Sequence, residues 1–140
     1  LEAGLDEIKG APAWSLDASD TTSAVSRLVS DLARLAEVQT RLLDQVTALD
    51  LCGDLGVSST AKWLARTTRM TKSEAARQTK LATTMTAHPA TAAAVAAGDV
   101  LPDQAVVIGA AIEALDDDLV AEKAAAEAFF CVSGRPDTQC

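Results

Sequence analysis

Between Val25 and Leu49 apolar residues recur in alternating three- and four-residue steps: Val25, Leu28, Leu32, Leu35, the polar Gln39, then Leu42, Val46 and Leu49. This is a heptad seam held for more than three heptads, with one polar residue at an a-type position. Val29, Ala36 and Leu43 widen it on the next column. A stripe of that width fits a bundle helix better than a strict two-stranded coiled coil. The pattern predicts a helix from about Thr22 to Leu51, roughly 45 Å long. Leu28, Leu32, Leu35, Gln39, Leu42, Val46 and Leu49 are its expected helix-packing interface. Arg27, Arg34 and Arg41 lie one heptad apart on the outer face, with Asp31 and Glu37 at helical spacing to them. That arrangement reads as a solvated, ion-paired face rather than a ridge for an acidic partner.

Residues 1–19 carry no period and hold Gly4, Gly10 and Pro12, so they read as a loose arm that Trp14 is expected to pin to the body. After the long helix, glycine in Cys52-Gly53-Asp54-Leu55-Gly56 supplies a break. Ser58 to Arg66 reads as a short helix and Thr67 to Met70 as a turn. Thr71-Lys72-Ser73-Glu74 has the form of a capping box that opens a helix reaching about Thr86. Its inner face is expected at Ala75, Thr79, Ala82 and Met85, and its outer face at Ser73, Arg77, Lys80 and Thr84. Pro89 suits the first turn of an alanine-rich helix that Gly98 stops, and Pro102 opens another. Asp116-Asp117-Asp118 precedes a last helix, about Leu119 to Phe130, where acidic side chains meet the positive helix end. Residues 20–130 thus form a single helical domain, and 131–140 an irregular tail. The fold class is all-α, a long N-terminal helix packed on a cluster of shorter ones.

Composition agrees. Twenty-nine alanines against four aromatic residues favour helices over strands. They also predict thin, close packing. Charge changes the picture more. The chain carries a net −8, yet six of its 12 basic residues fall between Lys62 and Lys80, opposed there only by Glu74. That segment is +5, while the remaining six basic and 19 acidic residues sum to −13. Such asymmetry indicates either a directed electrostatic surface or docking of the segment onto the chain's own acidic helices.

The basic residues coincide with a helix-turn-helix layout over Leu64–Ala75, with small Ala65 and Ala75 at the helix crossing and a Thr cap between. In a motif of this kind the start of the second helix enters the major groove, so Lys72, Ser73 and Arg77 would face bases. Lys62, Arg66, Arg69 and Lys80 would meet phosphates, which supply most of the affinity. Double-stranded DNA is the partner this reading implies. Two features depart from the motif: the turn has Arg69 where glycine is usual, and Gln78 stands where an apolar residue is expected. A plain helical hairpin with polar flanks is the competing reading.

Catalysis finds little support. His88 is the sole histidine, so no His-based zinc site closes within the chain, and its place beside Pro89 reads as a surface cap. Cys52, Cys131 and Cys140 form neither a disulfide framework nor a CxxC pair. No Gly-rich phosphate loop is present. No catalytic residue, metal, cofactor or small-molecule substrate is expected. No apolar run approaches the ~18 residues of a membrane span. The acidic start LEAGLDEIKG is no signal peptide, so a cytoplasmic location is expected and no membrane partner.

An ordered set of words over 58–128 carries a resemblance: Ser59-Thr60-Ala61-Lys62-Trp63-Leu64-Ala65-Arg66, then Lys72-Ser73-Glu74-Ala75-Ala76-Arg77 with Leu81-Ala82, then Pro89-Ala90-Thr91-Ala92, Ala97-Gly98-Asp99, and Gln104-Ala105 with Ile108. The chain resembles the domain of unknown function 222 family, the helical region of thirteen-E-twelve repeat proteins of mycobacteria and other actinobacteria. That resemblance implies a helical region placed before an HNH endonuclease domain, and hence a DNA-processing context. It transfers no catalysis, because an HNH site needs several histidines. The tail from Phe129-Phe130-Cys131 to Cys140 departs from the family, and a truncated chain is the expectation there.

Three readings stand at this point. One is a non-catalytic, DNA-binding accessory domain using 62–80. Another is an interaction module using the 25–49 stripe to self-associate or to dock against a C-terminal nuclease portion. The last is a remnant of a longer nuclease without independent function.

Overall fold

The protein is described by a computed structural model covering residues 6, 9–10, 12–116 and 119–133. Among these residues there are seven α-helices and no strand, as the alanine-rich composition predicts. They are α1 (Ala18–Ala48), α2 (Leu51–Asp54), α3 (Thr60–Thr67), α4 (Lys72–Ala87), α5 (Pro89–Ala97), α6 (Pro102–Glu113) and α7 (Val120–Ser133). A 3-10 turn at Ala13–Ser15 precedes them. The long helix packs on α4 and α5, and α4 in turn packs on α3 and α6. Helix α7 lies against α5 and α6.

Side-chain chemistry places the helix ends. Asp17 accepts the amide of Asp20 at 2.8 Å, so α1 begins at Ala18, inside what the sequence marks as a loose arm. Within that arm Trp14 is 89% exposed and pins nothing, while residues 1–5, 7–8 and 11 lie outside the described residues. The C-terminal break comes earlier than the glycines suggest. Asp50 takes the left-handed conformation at φ 50° and its carbonyl accepts from Gly53 at 2.9 Å, which starts the single turn of α2. Aspartate tolerates that backbone because its short polar side chain can bond locally. Gly98, at φ 82°, ends α5 as expected. The last helix continues through Cys131 to Ser133, past the start at 131 expected for an irregular tail; residues 134–140 and two of the three acids, Asp117 and Asp118, lie outside the described residues.

Two apolar clusters make the core. The larger gathers Ala33 from α1, Leu81 and Met85 from α4, Val95 and Val100 around the end of α5, and Ala105, Ile108 and Ile112 from α6. The smaller joins Leu43, Leu64, Ala75 and Ala82. Helix α4 is the shared spine, and α1 crosses both clusters.

The buried face of α1 is not the heptad seam. It comprises Ala33, Glu37, Thr40, Leu43 and Val46, so of the expected packing residues only Val46 is buried. Gln39 is half-buried, and Leu28, Leu32, Leu35, Leu42 and Leu49 are exposed. The physical reason is close approach. The Ser30 hydroxyl donates to the Gly98 carbonyl at 3.2 Å, and the Arg34 guanidinium donates to the Ala97 carbonyl at 3.1 Å. Only small side chains let backbones come that near, so at this crossing α1 presents Ser30 and Ala33 rather than the larger leucines, and further along Thr40 packs on Met85. Of the outer arginines, Arg34 pairs with Asp31 at 3.5 Å and Arg41 with Glu37 at 2.9 Å as the spacing predicts, but Glu37 is buried rather than solvated and exposed Arg27 makes no ion pair among the described residues.

Candidate functional site

The α3–turn–α4 hairpin closes without glycine. Ser59 caps α3 by accepting from the Lys62 amide at 3.3 Å. At the other end the hydroxyls of Thr67 and Thr68 donate back to the carbonyls of Trp63 and Leu64, at 2.9 and 2.6 Å. Thr71 then caps α4 by accepting from the Glu74 amide at 3.2 Å. No turn residue adopts a positive φ, so Arg69 occupies its place without strain. Ala75 is fully buried where the helices cross, beside Leu64, and Ala65 and Met70 pack against the same cluster.

Glu74 does not complete the capping box. Its carboxylate accepts from Arg77 at 3.0 Å and from Gln78 at 2.9 Å, which gives Gln78 a polar partner at a position the motif leaves apolar. Arg77 also reaches across to Asp103 on α6 at 2.7 Å. Its hydrogen bond to Glu74 raises the Arg77 pKa, and the same bond, with that from Gln78, lowers the Glu74 pKa. Arg77 therefore ties α4 to α6, and its charge is already matched by two carboxylates.

The other cations are disposed differently. Lys62, Arg66, Arg69, Lys72 and Lys80 are all exposed. Lys62 donates to the Ser58 hydroxyl at 2.7 Å and Arg66 to the Leu55 carbonyl at 3.2 Å, both neutral partners. Arg69, Lys72 and Lys80 make no hydrogen bond or ion pair among the described residues. Exposed Ser73 lies 3.1 Å from the Thr71 hydroxyl at the start of α4. Thr84, expected on the outer face with Ser73, Arg77 and Lys80, is instead buried. Its neighbour there is Gly109 of α6, whose bare backbone approaches the Thr84 methyl.

His88 departs furthest from expectation. It is 7% exposed rather than a surface cap, and its Nε2 lies 3.7 Å from a Glu113 carboxylate oxygen. Leu81, Met85 and His88 stand at i, i+4 and i+7, so the inner-face spacing of α4 already carried that signal. Spacing could not reveal the contact of Glu127 with Thr91. One carboxylate oxygen accepts from the Thr91 amide at 2.7 Å and its hydroxyl at 2.9 Å, from 36 residues away. Cys131 sits beside that pair, its sulfur 3.8 Å from the Thr91 hydroxyl, and burial pushes its thiol pKa up. A groove of about 290 Å³ runs between α1, α4 and the start of α6, lined by Val29, Leu32, Leu81, Leu101 and Val106 with Arg77 and Asp103 at its polar edge.

A family model described as a domain of unknown function, DUF222, matches residues 22–135. The chain belongs to the DUF222 family. The match takes in the long helix α1 as well as the 58–128 region whose wording carries the resemblance, so the two form one family unit rather than a module with an appended helix. No curated protein and no solved structure matches the chain. No helix among the described residues of this DUF222 chain is long and apolar enough to cross a membrane.

Proposed function

We propose that this DUF222 chain is a non-catalytic accessory domain that holds double-stranded DNA through the α3–α4 hairpin, next to an HNH-type nuclease domain of a longer actinobacterial protein. The observation that carries the reading is the state of the basic segment. Five of its six cations are exposed and unpaired with any carboxylate among the described residues, in a chain that is otherwise −13. Docking of the segment on the chain's own acidic helices accounts for Arg77 alone. Lys72 and Lys80 lie two turns apart on the outer face of α4, and Arg69 lies in the turn before it. The free amides at the start of α4 add the positive end of the helix to the same region. Arg77, held by Glu74 and Asp103, orients the hairpin instead of reading a base. Contact is thus to phosphates, and sequence preference is weak.

The non-catalytic part of the reading is supported by His88, the sole histidine, whose ring is buried against Gly109 and whose buried Nε2 faces Glu113.

Fluorescence anisotropy with a short labelled duplex, at low and at physiological salt, tests the DNA reading. Wild type is expected to bind with an affinity that falls steeply with salt. Arg69→Ala/Lys72→Ala/Lys80→Ala, which removes no intramolecular bond, is expected to lose binding and keep its helix content. Equal binding by that variant, or no binding by wild type at low salt, would overturn the reading.

A further inference from the structure

The exposed side of α1 is a second surface, away from the basic hairpin. Eight large apolar residues between Val25 and Leu49 are 40–64% exposed. The heptad d column, Leu28, Leu35, Leu42 and Leu49, is exposed along its whole length, at 57, 42, 62 and 64%. Val25 and Leu32 flank it in the first half of the helix. In the second half Val46 turns into the body, and Val38 takes over on the other side of the column at 42%. The stripe spans the 24 steps from Val25 to Leu49, about 36 Å at the helical rise. The lone apolar residues scattered on most protein surfaces need no explanation, but a run of this extent marks an interaction surface.

We infer that two copies of this chain pair through α1, stripe against stripe. Size, period and charge each point to a second copy. Apart from Val29, which lines the groove beside α4 and α6, seven large exposed apolar side chains form one strip, and burying a strip of that length is what a standard interface of about 800 Å² per partner calls for. The heptad period means that the occupant is itself a helix, since knobs repeating every 3.5 residues fill holes only on a facing helix. It must also be long. Among the described residues no other helix exceeds the 16 residues of α4, and only the 31-residue α1 matches the stripe. In the stripe's columns the one charge is Asp31, seven residues before Val38, and it pairs with Arg34 at 3.5 Å. Arg41 beside the stripe pairs with Glu37, so little selects an acidic or a basic partner. A surface that is nearly uncharged, long and heptad-spaced is complementary to itself, which is what a two-fold symmetric dimer requires.

The test is the mass of the 140-residue chain in solution, by sedimentation equilibrium across a range of micromolar concentrations. Wild type is expected at twice the chain mass of 14.5 kDa. Leu28→Glu/Leu42→Glu is expected at the single-chain mass with the circular dichroism of wild type, because both positions are exposed and outside the two core clusters. Should that variant lose helix content, Leu35→Gln supplies the same comparison with a milder change. A wild-type chain that stays at 14.5 kDa at high micromolar concentration overturns the inference and leaves the stripe to a different helical partner. A folded variant that remains a dimer also overturns it, because the interface then lies elsewhere.

Discussion

The hydroxyl of Ser30 donates to the carbonyl of Gly98 at 3.2 Å, across 68 residues of chain. It marks the point where α1 comes closest to the end of α5, and a Cβ on Gly98 would collide with that hydroxyl. Gly98 also holds φ at 82°, a backbone that costs an L-residue about 1–2 kcal/mol. Gly98→Ala therefore carries two penalties at once. It is expected to lower the free energy of unfolding by about 2–4 kcal/mol, the sum of backbone strain and overpacking. Urea unfolding measures this; a loss of only about 1–2 kcal/mol would show that α1 moves aside and leaves the backbone strain, and a variant within about half a kcal/mol of wild type would refute both penalties.

Glu127 caps α5 from a distance. The helix has no side-chain cap of its own, since His88 precedes Pro89 and makes no such bond. Glu127→Ala leaves the amide and hydroxyl of the fully buried Thr91 without their acceptor. The expected cost is about 1–3 kcal/mol, and Glu127→Gln, which keeps one acceptor, should recover part of it. Hydrogen exchange at the Thr91 amide is the direct readout, and it should quicken in the alanine variant before the core amides do.

Gly109 faces the Thr84 methyl and the His88 ring, and a Cβ there would overlap the methyl. Gly109→Ala gains helix propensity worth about 1 kcal/mol but must push α6 away from α4. Overpacking is expected to win, for a net loss of about 1–2 kcal/mol in chemical denaturation. A stabilised variant would mean that the contact is slack.

The Glu74–Arg77 pair predicts a sign for pH dependence. Arg77 and Gln78 hold the folded-state pKa of Glu74 below its ordinary value. The carboxylate then binds fewer protons folded than unfolded, so its contribution is complete above the ordinary carboxylate range and is lost as pH falls through the lowered folded value. Arg77→Ala should be less stable than wild type at neutral pH, and the gap should close on acidification. The pair is half exposed, so the gap is small and added salt should shrink it. A gap that widens in acid would refute the assignment. The same variant should also weaken DNA binding, because it unmasks the Glu74 and Asp103 carboxylates beside the hairpin.

Local chemistry alone determined much of this protein. Alanine content and heptad period made it helical. Thr71, Pro89, Gly98 and Pro102 set helix ends through bonds or backbone preferences that reach only a few residues, and such effects are readable in order along the chain. The clustering of cations at 62–80 was equally legible, because charge is a property of composition. Tertiary structure decided which side of each helix turns inward. Large apolar residues rank as inward by period, yet α1 turned Ala33 and half-buried Ser30 inward where the backbone at Ala97 and Gly98 comes too close for leucine. It also decided which charges remain available: Arg77 is spent on Asp103, 26 residues away, while Lys72 and Lys80 stay open. Glu127 on Thr91 and His88 under Gly109 belong to the same class. Each depends on a distance between elements remote in sequence, and no local spacing encodes that distance.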